Sequence, residues 1–160
     1  MSVHMLRALI DEVAEHVLSH MNASPGSCFD LYMNPLDDYR SLAGYPSDAF
    51  THRGLYGIRL SKDGRSAIAY IGKTENDNRL RQHILGENKN GAELVNPGSS
   101  KNQEIRRAIA NNFQIQLCLF KDPDLDKPTL ACLEIACILK ARSQFIEAFP
   151  TFEHWNKRVG

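Results

Sequence analysis

Apolar positions at three- and four-residue steps open the chain. Leu6, Leu9, Ile10, Val13, Val17, Leu18 and Met21 form one stripe, which predicts an amphipathic helix over residues 4–21. Asn22-Ala23-Ser24-Pro25-Gly26 ends it. Residues 27–53 lose the periodicity and read as an ordered irregular arm, with a helical turn around 36–43. It is a wrapping arm, a dimer contact or a substrate-contacting loop, and the residues do not choose among these. Two strand patterns follow, 54–61 and 65–72, around Asp63-Gly64, a hairpin signal. A three-residue loop, 62–64, pairs Ser61 with Arg65 and sets Tyr56 opposite Tyr70 and Ile58 opposite Ile68. A two-residue loop would put the tyrosines on opposite faces, because one step of slip exchanges the faces of a strand.

Downstream, a short helix is expected over 77–85 and a Gly/Asn/Ser-rich loop over 86–100. A helix follows over 101–111, with Ile105 and Ile109 inward and Arg106 and Arg107 outward. Phe113–Phe120 is a third strand, and residues 129–145 form an apolar helix that ends before Pro150. The elements predict a mixed α/β (α+β) fold: a small three-stranded antiparallel sheet flanked by helices, with an extra N-terminal helix and loop. Residues 1–52 are an arm packed on a core of 53–160, a single compact domain overall.

Composition supports that picture. The chain has 160 residues, 42% hydrophobic and 24% charged, as in a soluble globular protein. No apolar run is long enough to span a bilayer, and the amphipathic start with Asp11, Glu12 and Glu15 is not a signal-peptide pattern. Cys28, Cys118, Cys132 and Cys137 form no C-x-x-C pair and no zinc spacing, so they are expected to be buried free thiols in a reducing, cytoplasmic setting. The net charge of zero hides an asymmetry. Residues 1–52 hold two basic and seven acidic side chains, whereas 53–107 hold eleven and six. The basic middle segment suits a polyanionic partner or is an ordinary solvated face.

Several residues invite chemistry. Glu134 lies inside LACLEIACIL, where a carboxylate is costly unless it is paired, binds a metal or faces solvent. Arg79 and His83 share a helical face. Tyr56 and Tyr70 are a cross-strand aromatic pair, and Lys73 follows the second strand. Taken singly, each has a plain structural explanation.

Taken in order, they resemble the GIY-YIG nuclease superfamily of homing, restriction and repair endonucleases. Gly54-Leu55-Tyr56 stands for the first signature, with Leu where the family name has Ile, and Tyr70-Ile71-Gly72 is the second. Arg79 and His83 match an arginine followed four residues on by a histidine. Ser99-Ser100 opens a similar middle portion, Glu134 matches a metal-binding glutamate on the last helix, and Asn156 a late asparagine. The resemblance spans 53–156; the arm at 1–52 has no counterpart in it.

The resemblance implies a hydrolase of DNA phosphodiester bonds, using Mg2+ or Mn2+ held by Glu134. Arg79 would sit on the scissile phosphate, and Tyr56 or His83 would activate water. A phenol titrates near pKa ≈ 10 and needs a nearby cation to act as base; Lys73, Arg79 and the metal are candidates. Tyr70 would orient water or a phosphate oxygen, and Asn156 completes the expected catalytic set. Lys62, Arg65, Arg81, Lys101, Arg106 and Arg107 are expected on backbone phosphates of double-stranded DNA. A restriction-type enzyme cutting both strands would be a homodimer. The alternatives are a non-cleaving nucleic-acid-binding module on the same scaffold, a nuclease toxin, or a small interaction protein whose basic hairpin meets an acidic partner.

Overall fold

A computed structural model of the chain describes residues 1–23, 28–30, 53–74, 83–84 and 101–158. The expected loop at 86–100, most of the arm at 31–52 and most of the helix expected at 77–85 lie outside the described residues. Of that helix, residues 83–84 are described and are helical.

The fold is α+β, with an antiparallel sheet packed between helices. Helix α1 spans Val3–Ala23 and strand β1 Cys28–Asp30; β2 (Gly54–Lys62) and β3 (Arg65–Thr74) form the hairpin. Helix α2 (Asn102–Ala110), strand β4 (Gln114–Lys121) and helix α3 (Lys127–Ala148) follow. The three expected strands are joined by β1, a fourth, so the order is β1-β4-β2-β3. That short strand falls where an irregular arm was expected. Three residues carry too little periodicity to be seen in a sequence, and Cys28–Asp30 is a strand only because it pairs with Gln116–Cys118.

The hairpin register corrects the expected one. The loop has two residues, Asp63 and Gly64, with Lys62 opposite Arg65. Both loop residues have positive φ, 53° and 76°, the pattern of a tight turn whose twist matches that of the strands. By itself this register would separate the tyrosines. A β-bulge prevents it: Arg59 faces Ile68, but Ile58 faces Tyr70, so β3 contributes one extra residue, Ala69. Tyr56 therefore stands opposite Gly72, with Tyr70 two pairs along, opposite Ile58, on the same face. The extra residue sends Ile68 to the other side of the sheet, not opposite Ile58 as expected.

The sheet thus has two apolar faces. One packs Tyr56, Ile58, Leu60 and Tyr70 with Leu117 and Leu119 of β4, Ile105 and Ala108 of α2, and Phe145 and Phe149. The other packs Leu55, Ile68, Ile71 and Cys118 against Val17, Leu18 and Met21 of α1 and Leu130, Cys137 and Ala141 of α3. Helix α3 serves both faces, running beside β3. Its start is set by Asp126, whose side chain accepts the Thr129 N–H at 2.7 Å, with Pro in the first turn.

Two stripes behave differently from their sequence pattern. Only Ala14, Val17, Leu18 and Met21 of α1 are buried, and Leu6, Leu9, Ile10 and Val13 are exposed. In α3, Ile135 and Leu139 are exposed as well. The helix around Glu134 is therefore not buried all round.

Candidate active site

The site is built at the end of the hairpin remote from its turn, where β2 begins and β3 finishes. The ring of Tyr56 is fully buried and lies across Gly72 in the neighbouring strand. A Cβ at position 72 would fall 2.5–2.7 Å from Cζ, Oη and Cε1 of that ring, so only glycine leaves the space. The Tyr-Ile-Gly of β3 thus carries a packing requirement imposed by the Tyr of β2. The phenol Oη of Tyr56 is 2.5 Å from Nδ1 of His83. Tyr56 and Tyr70 have ring centroids 5.9 Å apart, and Tyr70 and His83 6.5 Å. The three rings form one polar-tipped aromatic cluster.

Tyr70 also lines an open groove of about 420 Å3, together with Lys101, Glu104, Glu134, Trp155 and Asn156. Lys101 places its ammonium 5.0 Å from the Tyr70 ring centre, a cation over the electron-rich face, and 3.9 Å from Glu104. Glu134 Oε2, also in the groove lining, is 3.3 Å from Lys73 Nζ. The Glu134 side chain is 16% exposed and that of Lys73 43%, so the pair is half-buried at a rim. The carboxylate that looked anomalous in an apolar helix has both a basic partner and an opening to solvent. A screened pair of this kind contributes about 1 kcal/mol or less to stability.

Asn156 is close to the groove, but its amide is committed elsewhere. Its Oδ1 accepts the Ile71 N–H and its Nδ2 donates to the Ile71 carbonyl, both at 2.8 Å. The side chain takes the place of one more strand residue along the edge of β3. Its neighbours do the same. The Trp155 N–H donates to Ala69 O at 2.8 Å, and His154 Nε2 donates to Ile68 O at 3.2 Å. Residues 154–156 are thus sewn to the bulged stretch that carries Tyr70, and Arg142 ties the tail down by donating to Asn156 O. The geometry makes Asn156 a positioning residue for Tyr70. His154 is left with Nδ1 as acceptor for the Asn156 N–H. Burial lowers its pKa to about 4, so the ring stays neutral.

Of the residues predicted from the sequence, Tyr56, Tyr70 and His83 come together, and Glu134 and Lys73 meet at the groove that Tyr70 lines. Arg79 and Arg81 lie outside the described residues. Among the expected phosphate contacts, Lys101 enters the groove. The others do not line it: Arg65 sits by the hairpin turn and donates to Ala148 O, Lys62 donates to Asn111 O, and Arg106 is exposed on α2. Arg107 lines a separate depression with Phe113 and Phe152. Glu104, Trp155, Lys157 and Arg158 were not anticipated in the groove. The three-residue spacing of Lys101 and Glu104 was the one signal available for them.

A divalent cation fits the oxygen chemistry of this groove, whose lining includes the carboxylates of Glu134 and Glu104. Among the described residues no three His, Cys, Asp or Glu side chains cluster. A cation here would rely on one or two carboxylates, water and its substrate, as Mg2+ sites do. Comparison of the chain with protein-family models, with curated proteins and with solved structures found no match.

Proposed function

We propose that the protein is a metal-dependent endonuclease of the GIY-YIG type, hydrolysing phosphodiester bonds of DNA. One juxtaposition carries the reading: Tyr70 and Glu134, far apart in sequence, line the same groove, and Tyr70 is in ring contact with the hydrogen-bonded Tyr56–His83 pair. A phosphodiester laid in the groove meets cationic Lys101, Lys157 and Arg158 beside Tyr70 and the carboxylates of Glu104 and Glu134.

Glu134 would hold Mg2+ or Mn2+, which when bound supplies charge stabilisation at the scissile phosphate and the leaving 3′ oxygen. Lys73 uses Oε2 of that carboxylate. The partly exposed Lys73 ammonium would be available to the phosphate if Glu134 held a cation. Tyr70 orients the attacking water or a non-bridging oxygen. Tyr56 and His83 act as one unit. The buried Tyr56 holds Nδ1 of His83, and His83, the partly exposed member of the pair, takes the proton from water. Arg79, four residues before His83 in the sequence, is assigned to the developing phosphate charge.

A second reading, a binding module that does not cut, rests on the Lys73–Glu134 ion pair, which satisfies the carboxylate without any metal. One experiment separates the two. Plasmid DNA and RNA are incubated with the wild type, Glu134→Ala and Arg79→Ala, with magnesium or with chelator. The nuclease reading expects magnesium-dependent cleavage of DNA that both variants lose. Retarded migration of DNA without cleavage would establish the second reading. Unchanged cleavage by Glu134→Ala would remove Glu134 as metal ligand.

A further inference from the structure

Cys28 of β1 and Cys118 of β4 stand directly opposite each other in the sheet. Both are free thiols, and their sulfurs are 2.9 Å apart. Cys28 Sγ also donates to Met21 O, at the end of α1, at 2.7 Å. Its single proton is therefore engaged there, and Cys118 donates to the Cys28 sulfur. Antiparallel neighbours have Cα separations of about 4.5–5.5 Å, inside the range a disulfide spans. The sulfurs need to close by less than about 1 Å to reach bonding distance. We propose that Cys28 and Cys118 are a redox pair that closes reversibly into a cross-strand disulfide when the protein meets a peroxide.

The two thiols have unequal roles. Cys28 is partly buried, whereas Cys118 is fully buried. The hydrogen bond from Cys118 lowers the Cys28 pKa to about 7, aided by the charge of Arg59 and opposed by burial and Asp30. The same hydrogen bond, with burial, pushes Cys118 up. Arg59 is held in place by Gln116 and by the carbonyl and side chain of Asn22. The thiolate is the species that attacks peroxide, and Cys28, with the lowered pKa and the greater exposure of the two, is the thiol that supplies it.

The steps balance as follows. Cys28 sulfur attacks one peroxide oxygen, the O–O bond breaks, and the products are a sulfenic acid and one water. Cys118 sulfur then attacks Cys28 sulfur, the S–O bond breaks, and the oxygen leaves as a second water carrying the Cys118 proton. Two thiols lose two electrons, and one peroxide is reduced to two waters. With the resolving thiol already in contact, the second step outruns further oxidation of the sulfenic acid. The other cysteines have no such arrangement: burial pushes Cys137 up to about 12, and Cys132 is exposed on α3. The new bond closes a loop of 90 residues and fixes the short edge strand β1, and with it the end of α1, to the sheet.

The test treats the full chain with stoichiometric hydrogen peroxide, then alkylates it in denaturant and measures the intact mass. The expected product carries two alkyl groups in place of four, with a dithiothreitol-sensitive cross-link between the peptides holding Cys28 and Cys118. Cross-linking persists in Cys132→Ser and is lost in Cys28→Ser, whose folding is checked by circular dichroism. The oxidised protein melts about 5 °C or more higher than the reduced one. Four alkylated thiols, or a sulfinic acid on Cys28 with Cys118 still alkylated, would overturn the proposal. The rate of Cys28 alkylation in the native wild type needs no variant. It is expected to rise with a midpoint near pH 7, and a midpoint at the ordinary thiol value of about 8.5 would remove Cys28 as the attacking group.

Discussion

Replacing Gly72 with alanine probes the packing on which the site depends. The added Cβ would lie 2.5, 2.6 and 2.7 Å from Cζ, Oη and Cε1 of Tyr56, where unstrained carbon contacts sit at about 3.5–4.0 Å. The ring must retreat by roughly 1 Å, and with Tyr56 fully buried every direction of retreat meets the core. Overpacking of this kind costs about 1–3 kcal/mol, which for a chain of this size lowers the melting temperature by roughly 2–12 °C. The same movement carries Oη away from His83 Nδ1, stretching their 2.5 Å contact beyond about 3.2 Å, the outer limit of an effective bond. A misplacement of ~1 Å in a catalytic group can lower a rate by about a hundredfold. Urea denaturation of wild type, Gly72→Ala, Tyr56→Ala and the double variant forms a cycle that isolates the clash. The double variant is expected to lose less stability than the sum of the single ones, because the new methyl fills part of the space the ring vacates. A Gly72→Ala variant as stable as the wild type, or strictly additive losses, would refute this packing.

The buried His154 gives the fold a pH dependence. Its folded pKa of about 4 lies below the unfolded value of about 6.5, so the unfolded state binds the extra proton. Stability is complete above about pH 6.5 and falls between there and pH 4, by on the order of 3 kcal/mol. Urea midpoints at pH 7.5 and 4.5 should differ accordingly, and the part due to this ring should vanish in His154→Gln. Asn156→Leu strips two hydrogen bonds from the buried backbone of Ile71 and should cost roughly 2–4 kcal/mol; a urea midpoint within experimental scatter of the wild type would exclude the clip. If DNA lies in the groove, Lys101→Ala should reduce the slope of log affinity against log salt by about 0.9, whereas Arg65→Ala, by the hairpin turn, should leave it nearly unchanged.

Local pattern was enough to announce most elements of this chain. The 3.6-residue stripe of α1, the Asp63-Gly64 turn, the alternation in β4 and the apolar run of α3 report choices that the backbone makes over a few residues, and each element forms close to its expected bounds. Local chemistry also marked Tyr56, Tyr70, His83 and Glu134. What it left open was everything that depends on partners distant in sequence. The tight turn alone would have parted the tyrosines, and the bulge at Ala69 restores them to one face. That bulge is held by hydrogen bonds from Trp155 and its neighbours, more than eighty residues away. A sequence does not display which carbonyl of an edge strand will be met by the tail. Nor does Glu134 declare its partner: whether a carboxylate in an apolar helix is buried, paired or exposed is set by the strand beside it, and here that strand brings Lys73. The same holds for Cys28, one of four cysteines with no pairing visible in their spacing until three residues of β1 pair with β4 and set it against Cys118. Propensity and periodicity act over one or two turns, so the elements and the inventory of reactive groups can be read along the chain. Register, pairing and burial are set by contacts between segments that the chain keeps far apart, so they emerge only when those segments meet in the fold.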